Sequence, residues 1–212
     1  MTLLQIRSFL KKELAPQIKL EIKPLLYKGQ RGGGYFGVTR QILCMVDFLG
    51  ALYCGYKGEK YPNGSRKIST STKALRYLKE MMGNNIDSGY RICGDELYAM
   101  YRHGLVHLYQ PRMIFQKNSR TLKWFAYKGR RSRKKIIANS NIGKRAFHNV
   151  RHLKITADPL NIIQDYLPIS INCLYTDLLE SVDLYYRKLK KQPELQKNWS
   201  ETANAIIQPE KI

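Results

Sequence analysis

Hydrophobic residues recur every three to four positions along most of this chain, a spacing that predicts amphipathic helices. The first predicted helix begins near Leu3, is kinked at Pro16 and is ended by Pro24. A strongly apolar helix is predicted from about Thr39 to Tyr53, and it contains one acidic residue, Asp47. An aspartate in such surroundings must be paired or must face a cleft, because an isolated buried charge is costly.

Three more helices are predicted from the same periodicity. One follows the N-cap candidates at 69–72 and runs to Met82, and the next spans about 90–107 and is terminated by Pro111. A last amphipathic helix is predicted from about Pro168. The polar residues from Gln192 onward predict a loosely held tail.

The pattern changes to strands in the middle of the chain. Residues 113–115 and 122–127 are rich in aromatic and β-branched side chains and predict a β-hairpin. Residues 130–135 are predicted to form a basic loop, and residues 152–156 a third strand. The fold class that follows is mainly α, α+β overall: one domain over 1–192, with a basic β-rich insertion at about 111–156 and a polar C-terminal tail at 193–212.

Charge changes this picture, because 37 Lys and Arg face only 16 Asp and Glu among 212 residues. Fourteen of the basic residues lie between Arg112 and Lys154, where there is no acid at all. A simple solvated face normally mixes both signs, so the segment predicts a polyanionic partner, RNA, or an acidic protein such as an antitoxin. The candidate nucleic-acid-binding residues are Lys123, Lys128, Arg130, Arg131, Arg133, Lys134 and Lys135.

The aromatic residues of the predicted hairpin have two interpretations. Trp124, Phe125 and Tyr127 alternate with the cations, and exposed aromatic rings stack on bases while cations follow phosphates. Alternatively, the same rings pack the hairpin onto the helical bundle. Nothing in their spacing predicts base-specific recognition.

Several classes of protein are disfavoured by the sequence. The N-terminus reaches a charged residue too early for a signal peptide, and no apolar run approaches the length of a membrane span. The four cysteines lack zinc spacing, and Cys44, Cys54 and Cys173 are expected to be buried free thiols. The Gly-rich run at 32–37 matches a dinucleotide fingerprint but follows no strand, so we expect a helix–helix loop and no cofactor. We therefore predict a cytoplasmic protein that does not associate with a membrane.

The residues best suited to catalysis lie at the end of the fourth predicted helix. Arg102, His103 and His107 combine a fixed cation with two imidazoles that titrate near neutral pH. Arg102 and His107 diverge by about 140° on an ideal helix, so they meet at one phosphate only if the helix unwinds near Gly104 or a second chain completes the site. Three interpretations stay open: cations at a helix C-terminus, a metal site on the two histidines without a clear third ligand, or metal-independent RNA cleavage.

In the cleavage interpretation His107 is a general base or acid and Arg102 stabilises charge on the phosphoryl oxygens. His103 orients the phosphate or takes the second proton-transfer role. Asp47 is expected to hold Arg102 in place if the two helices pack together.

The run Arg102-His103-Gly104-Leu105-Val106-His107 resembles the motif of the HEPN superfamily, an Arg followed by a polar residue and, after four to six residues, a His. The resemblance covers roughly residues 1–110 and the final helix. It implies a small helical bundle and an endoribonuclease of a toxin–antitoxin, phage-defence or CRISPR-linked system, with Arg102 and His107 as the catalytic pair. It also implies a homodimer whose two motifs form one cleft. Two alternatives remain, a non-catalytic nucleic-acid-binding module and an interaction protein whose basic face docks an acidic partner.

Overall fold

The computed structural model describes residues 2–27, 35–55, 69–116, 119–139 and 144–207. Helices make up most of it, together with a four-stranded mixed sheet and a two-stranded ribbon. The prediction of a mainly α fold, α+β overall, is confirmed. The predicted loops at 29–34 and 56–67 lie outside the described residues.

The helices are short in the middle of the chain and long at its ends. They are α1 (Leu3–Ser8), α2 (Ala15–Tyr27), α3 (Tyr35–Cys54), α4 (Thr70–Arg76), α5 (Ser88–Ile92), α6 (Gly94–Leu97), α7 (Gly104–His107), α8 (Ile171–Leu189) and α9 (Pro193–Ile207). Three π-helical segments join some of them, at Phe9–Leu14, Tyr77–Gly83 and Tyr98–His103.

The two prolines of the first helical stretch have different effects. The π-helical segment Phe9–Leu14 ends just before Pro16, where the backbone widens because the proline ring would strike the carbonyl four residues earlier. Pro24 lies inside α2 and does not end it, so that prediction is wrong. Pro24 is exposed, and water can reach the carbonyl that it leaves unpaired, while buried Ile22 and Leu26 hold the last turns on the core.

The apolar helix α3 lies at the centre of the bundle and contacts α2, α4, α8 and α9. It is the one described helix long and apolar enough to cross a membrane, but Val38, Ile42, Val46 and Leu49 are buried against the other helices. These buried side chains make α3 a core helix of the bundle.

The four-stranded sheet has the order β1-β2-β6-β5, with strands β1 (Ile114–Phe115), β2 (Thr121–Tyr127), β5 (Thr156–Ala157) and β6 (Gln164–Ser170). The predicted hairpin exists as the antiparallel pair β1–β2, but only two residues of β1 take part. The longer pairing of β2 is parallel, with β6 along the whole length of both strands.

The strand β6 is absent from the sequence prediction, which starts the last helix at Pro168. Pro168 instead lies within β6, opposite Phe125, and α8 starts three residues later. Pro168 has no backbone N–H, but it lies beyond the end of the short partner β5, whose pairing with β6 ends at Tyr166. No ladder hydrogen bond is therefore lost at Pro168. The β-rich part of the chain therefore extends to Ser170 rather than to about residue 156.

The two-stranded ribbon pairs β3 (Ser132–Asn139) with β4 (Lys144–Arg151) in antiparallel register. Residues 130–135 were predicted to be a loop, but β3 begins within them. In the strand predicted at 152–156, residues 152–153 form a turn and only Thr156 lies in a strand, β5. Leu153 adopts a left-handed conformation in that turn, with φ of 53°, which no strand allows.

Two other predictions need correction. Residues 193–207 of the predicted polar tail are not loose, because α9 carries an apolar residue on each turn and buries Trp199, which is 2% exposed, against α3. The rest of the predicted tail, 208–212, lies outside the described residues. Cys44 is exposed rather than buried, whereas Cys54 and Cys173 are buried free thiols as expected. In contrast, Ser69 caps α4 through Thr72 N–H as its sequence predicts.

Candidate active site and basic groove

The ion pair between Arg102 and Asp47 is the centre of the candidate site. Arg102 donates from Nε to Asp47 Oδ2 at 2.9 Å, and its Nη2 lies 2.8 Å from the same oxygen. The hydroxyl of Tyr98 donates to Asp47 Oδ1 at 2.7 Å. Both oxygens of the carboxylate are therefore occupied, and the contact expected between Asp47 and Arg102 is present. Because both side chains are largely buried, this pair fixes the direction of the guanidinium.

The π-helical segment Tyr98–His103 brings residues five positions apart onto one side of the helix. The ring of His103 meets that of Tyr98 edge-on with centroids 5.1 Å apart, and the guanidinium of Arg102 lies 6.0 Å from the same ring. Arg102 and His103 are thus neighbours around Tyr98. A helical irregularity was expected near Gly104; this segment ends at His103, directly before it, and Gly104 itself is helical, with φ of −60°.

Gly104 is needed for a close approach of the chain. A Cβ atom at this position would lie 2.6 Å from both the Gln110 carbonyl oxygen and the Arg112 nitrogen. The chain folds back here, and Arg112 N–H donates to the Met100 carbonyl at 2.9 Å. Pro111 is buried in this return and does not terminate the helix, which ends at His107.

The two histidines stack on each other on consecutive turns. Their ring centroids are 6.1 Å apart, the rings are 15° from parallel, and His107 is exposed. Desolvation by burial lowers the pKa of His103, and the positive charges of Arg102, His107 and Arg112 lower it further. His103 is therefore neutral at neutral pH and able to accept a proton.

Other residues at this surface were missed by sequence reasoning. Arg40 and Cys44 lie on the same face of α3 as Asp47, at positions i, i+4 and i+7, and that spacing was the available signal. Burial and the neighbouring Asp47 raise the pKa of the Cys44 thiol, whereas Arg102 and Arg40 oppose the shift. No third metal ligand joins His103 and His107 among the described residues.

The residues predicted to bind nucleic acid separate into two groups. The ammonium of Lys128 lies over Tyr35 at 5.3 Å and that of Lys135 over Phe125 at 4.2 Å, while Arg133 lies over Tyr127 at 5.7 Å. For the others no such ring is found among the described residues: Lys123 is half-buried, and Arg130 and Lys134 are exposed. Tyr127 is buried in the core, and Trp124 packs edge-on against Phe36 while staying 38% exposed. Stacking of these rings on bases stays a prediction.

Arg131 does not belong with the others, because its guanidinium is occupied by two buried carboxylates. Its Nη1 donates to Asp87 at 2.6 Å and its Nη2 to Asp177 at 2.7 Å. Asp177 also accepts from the Tyr90 hydroxyl at 2.8 Å. Arg131 therefore ties the start of the ribbon to α5 and α8, and its role as a nucleic-acid ligand stays a prediction.

The buried histidine His152 completes this connection. Its Nδ1 accepts from the Ser170 backbone N–H at 3.0 Å, which places its proton on Nε2, 3.3 Å from the Tyr90 hydroxyl. Burial, and then the charge of Arg131, lower the pKa of His152 to about 3. His152 is a neutral structural residue.

The acid-free segment is partly neutralised by acids from elsewhere in the chain. Arg120 pairs with Asp165 at 2.6 Å, and Arg151 lies 3.7 Å from Asp87. Together with Arg131, three of these cations thus face a carboxylate among the residues that the structure describes. Five of the other basic residues of the segment belong to the two strands of the ribbon.

A groove of about 550 Å³ lies between the ribbon and the edge of the sheet at β5. Four cations line it, Arg133, Lys134, Arg151 and Lys154, and none of the residues that line it is acidic. Its remaining walls are short or apolar side chains of β3, β4 and β5. The groove is suited to a phosphate-bearing chain.

Comparison with protein-family models, curated proteins and solved structures found no match to this chain.

Proposed function

We propose that this protein is a metal-independent endoribonuclease in which Arg102, His103 and His107 act together on one phosphodiester. The observation that carries the proposal is the arrangement of an arginine held by Asp47 beside a stacked pair of imidazoles, of which one is neutral and the other exposed. These are the groups that a transesterification by the RNA 2′-OH requires: a base, an acid and a fixed cation.

In this reaction the 2′ oxygen forms a bond to phosphorus while the bond from phosphorus to the 5′ oxygen breaks. Neutral His103 removes the proton from the 2′-OH, and His107 in its protonated form gives a proton to the departing 5′ oxygen. Arg102 stabilises the negative charge on the phosphoryl oxygens. The products are a 2′,3′-cyclic phosphate and a 5′-hydroxyl. Asp47 and Tyr98 are positioning residues that aim Arg102.

The setting of this activity follows the HEPN resemblance. It implies a cytoplasmic enzyme of a toxin–antitoxin or phage-defence system that works as a homodimer, with an acidic antitoxin as a regulatory partner. The contacts within one chain already join Arg102 to His103 through Tyr98, and His103 to His107. In a dimer the second chain would add its own set of these groups to the cleft.

The test is RNA cleavage in excess EDTA, with the 3′ ends analysed for cyclic phosphate. Arg102→Ala and His107→Ala are expected to abolish cleavage, and Arg102→Lys to reduce it strongly, because an ammonium cannot reproduce the guanidinium fork. Arg187→Ala, an exposed arginine on α8, is the matched control and is expected to retain full activity. Thermal unfolding checks each variant, and full activity in both alanine variants would refute the proposal.

A non-catalytic nucleic-acid-binding module is the second candidate, and the basic groove favours it. Binding without cleavage in the EDTA assay would support this candidate. For single strands each phosphate contact contributes about −0.7 to the slope of log affinity against log salt concentration. The double variant Lys134→Ala/Lys154→Ala is therefore expected to reduce the slope by about 1.4, whereas Lys191→Ala/Lys197→Ala, on exposed positions of the C-terminal region, leaves it unchanged.

A further inference from the structure

The tyrosine two residues after His107 has an unusual conformation and environment. Tyr109 is 76% exposed and has φ of 58°, a left-handed backbone conformation that a bulky residue adopts only when its surroundings impose it. Backbone strain of this kind is found most often at ligand-binding sites. Here it directs a large ring into solvent beside the candidate active site.

The loop that carries Tyr109 is held at both ends. On one side the Leu108 N–H donates to the Gly104 carbonyl at 2.8 Å, and on the other the Arg112 N–H donates to the Met100 carbonyl at 2.9 Å. Pro111 is buried between them. The ring of Tyr109 is therefore presented by a fixed backbone instead of covering an apolar surface of its own molecule.

One face of that ring is held by a cation. The guanidinium of Arg40 lies 5.5 Å from the centroid of Tyr109, and Arg40 forms no ion pair within the described part of the chain. Arg112 also extends from the same loop into solvent. The nearby carboxylate of Asp47, whose charge raises the pKa of both Cys44 and His103, is already paired with Arg102. The surface around Tyr109 therefore combines an exposed aromatic face with uncompensated positive charge.

We propose that Tyr109, supported by Arg40, is a platform on which one unpaired nucleobase stacks while the adjoining phosphate lies at His107. This inference rests on the proposed function for the reaction and specifies its substrate class, single-stranded RNA. A base inside a duplex has both faces covered by its neighbours, so only an unpaired base can occupy the platform. Stacking on an aromatic ring tolerates every base, so the platform selects strandedness rather than sequence.

Charge favours this occupant over a second copy of the chain. The proposed homodimer would leave this ring uncovered in its cleft, because a copy seated on the ring itself would bring a molecule with a net charge of +21 against Arg40 and Arg112, whereas a nucleic acid strand brings phosphates to both. Self-association through Tyr109 is therefore treated as the competing outcome of the experiment.

The experiment measures binding by fluorescence anisotropy with a short single-stranded 2′-deoxy oligonucleotide, which has no 2′-OH and cannot be cleaved. A strand of equal length made of tetrahydrofuran abasic phosphates, which have no aldehyde and do not undergo β-elimination, is the second probe, and a DNA duplex is the third. Tyr109→Ala is expected to weaken binding of the base-containing strand by about 5- to 150-fold, and Tyr109→Phe, which keeps the ring, by less than about threefold. Binding of the abasic strand and of the duplex is expected to be unchanged.

Phe115→Ala is the matched control, because Phe115 is an aromatic residue that is 84% exposed on β1 with no cation over its ring in the described structure. It is expected to bind all three probes like the wild type. The platform is refuted if Tyr109→Ala binds the base-containing strand normally or weakens all three probes equally. A change of oligomeric state by light scattering, with strand affinity unchanged, assigns Tyr109 to a contact between copies and also refutes it. Since no probe can be cleaved, these results are independent of the cleavage assay.

Discussion

Replacing Asp47 by alanine tests whether Arg102 is aimed by its ion pair. The variant leaves the guanidinium of Arg102 and the hydroxyl of Tyr98 without their acceptor, both in partly buried positions. Removing one partner of a fully buried ion pair costs about 3–5 kcal/mol, and an exposed pair contributes about 0–1 kcal/mol. The side chains of Arg102 and Asp47 are 20% and 12% exposed, so we expect an intermediate loss of about 2 kcal/mol.

The expected loss corresponds to a fall in Tm of about 4–8 °C for a chain of this size. The rate of RNA cleavage should fall by about 100-fold, because an arginine displaced by even 1 Å no longer meets the phosphoryl oxygens. Asp47→Asn keeps one acceptor oxygen and is expected to lie between the wild type and the alanine variant. Asp95→Ala is the matched control, since its pair with Lys79 is exposed and contributes little.

One further measurement separates positioning from simple stabilisation. The negative charge of Asp47 raises the pKa of His103 against the lowering effects of burial and of Arg102. Its removal is expected to lower that pKa further, which an NMR titration of the His103 ring detects and which moves the acidic limb of the cleavage profile to lower pH. If the Tm falls while kcat and the pKa of His103 stay at wild-type values, Asp47 has no role in aiming Arg102.

Three other predictions concern the scaffold. Arg131→Ala is expected to lower the free energy of unfolding by roughly 3 kcal/mol, because it leaves Asp87 and Asp177 buried without a cation; an unchanged Tm with a loss of RNA affinity would contradict the structural role given to it. Gly104→Ala is expected to cost about 1–3 kcal/mol in a urea titration, since its methyl group would meet the backbone at Gln110 and Arg112. The folded state keeps His152 neutral down to about pH 3, whereas the unfolded chain takes up a proton near pH 6.5, so stability should fall with decreasing pH by up to about 1.4 kcal/mol per unit below 6.5. Equal unfolding free energies at pH 6.5 and pH 5 would show that burial does not hold His152 neutral.

The sequence predicts the helices well where the signal is local, such as an apolar run or a capping residue close to the helix that it caps. The cap at Ser69 and the apolar run of α3 are of this kind, and the contact of Asp47 with Arg102 follows from the cost of an unpaired charge among apolar residues. The strand β6 could not be found in this way, because Pro168 reads as a helix start and the partner β2 lies more than forty residues earlier.

The site was predictable in its residue types and not in its geometry. The motif names Arg102, His103 and His107, but the π-helical segment that sets Arg102 and His103 around Tyr98 leaves no mark in the periodicity. The partners of Arg131 could not be predicted either. A count of charges along the chain cannot tell a cation that meets solvent from one whose two acidic partners come from distant helices.

The parallel pairing of β2 with β6 determines which segments of this chain can be deleted without disrupting the sheet. One strand of the pair lies inside the basic segment and the other lies after it, directly before α8. Excising residues 111–156 as a unit would remove β2 and leave β6, a largely buried strand, with an open edge against the bundle. The separable piece is the β3–β4 ribbon alone, and even that carries Arg131 and His152 at its base. The sheet and the bundle therefore form one cooperative folding unit. Its sheet is complete only when β2 and β6, which are far apart in the chain, have paired.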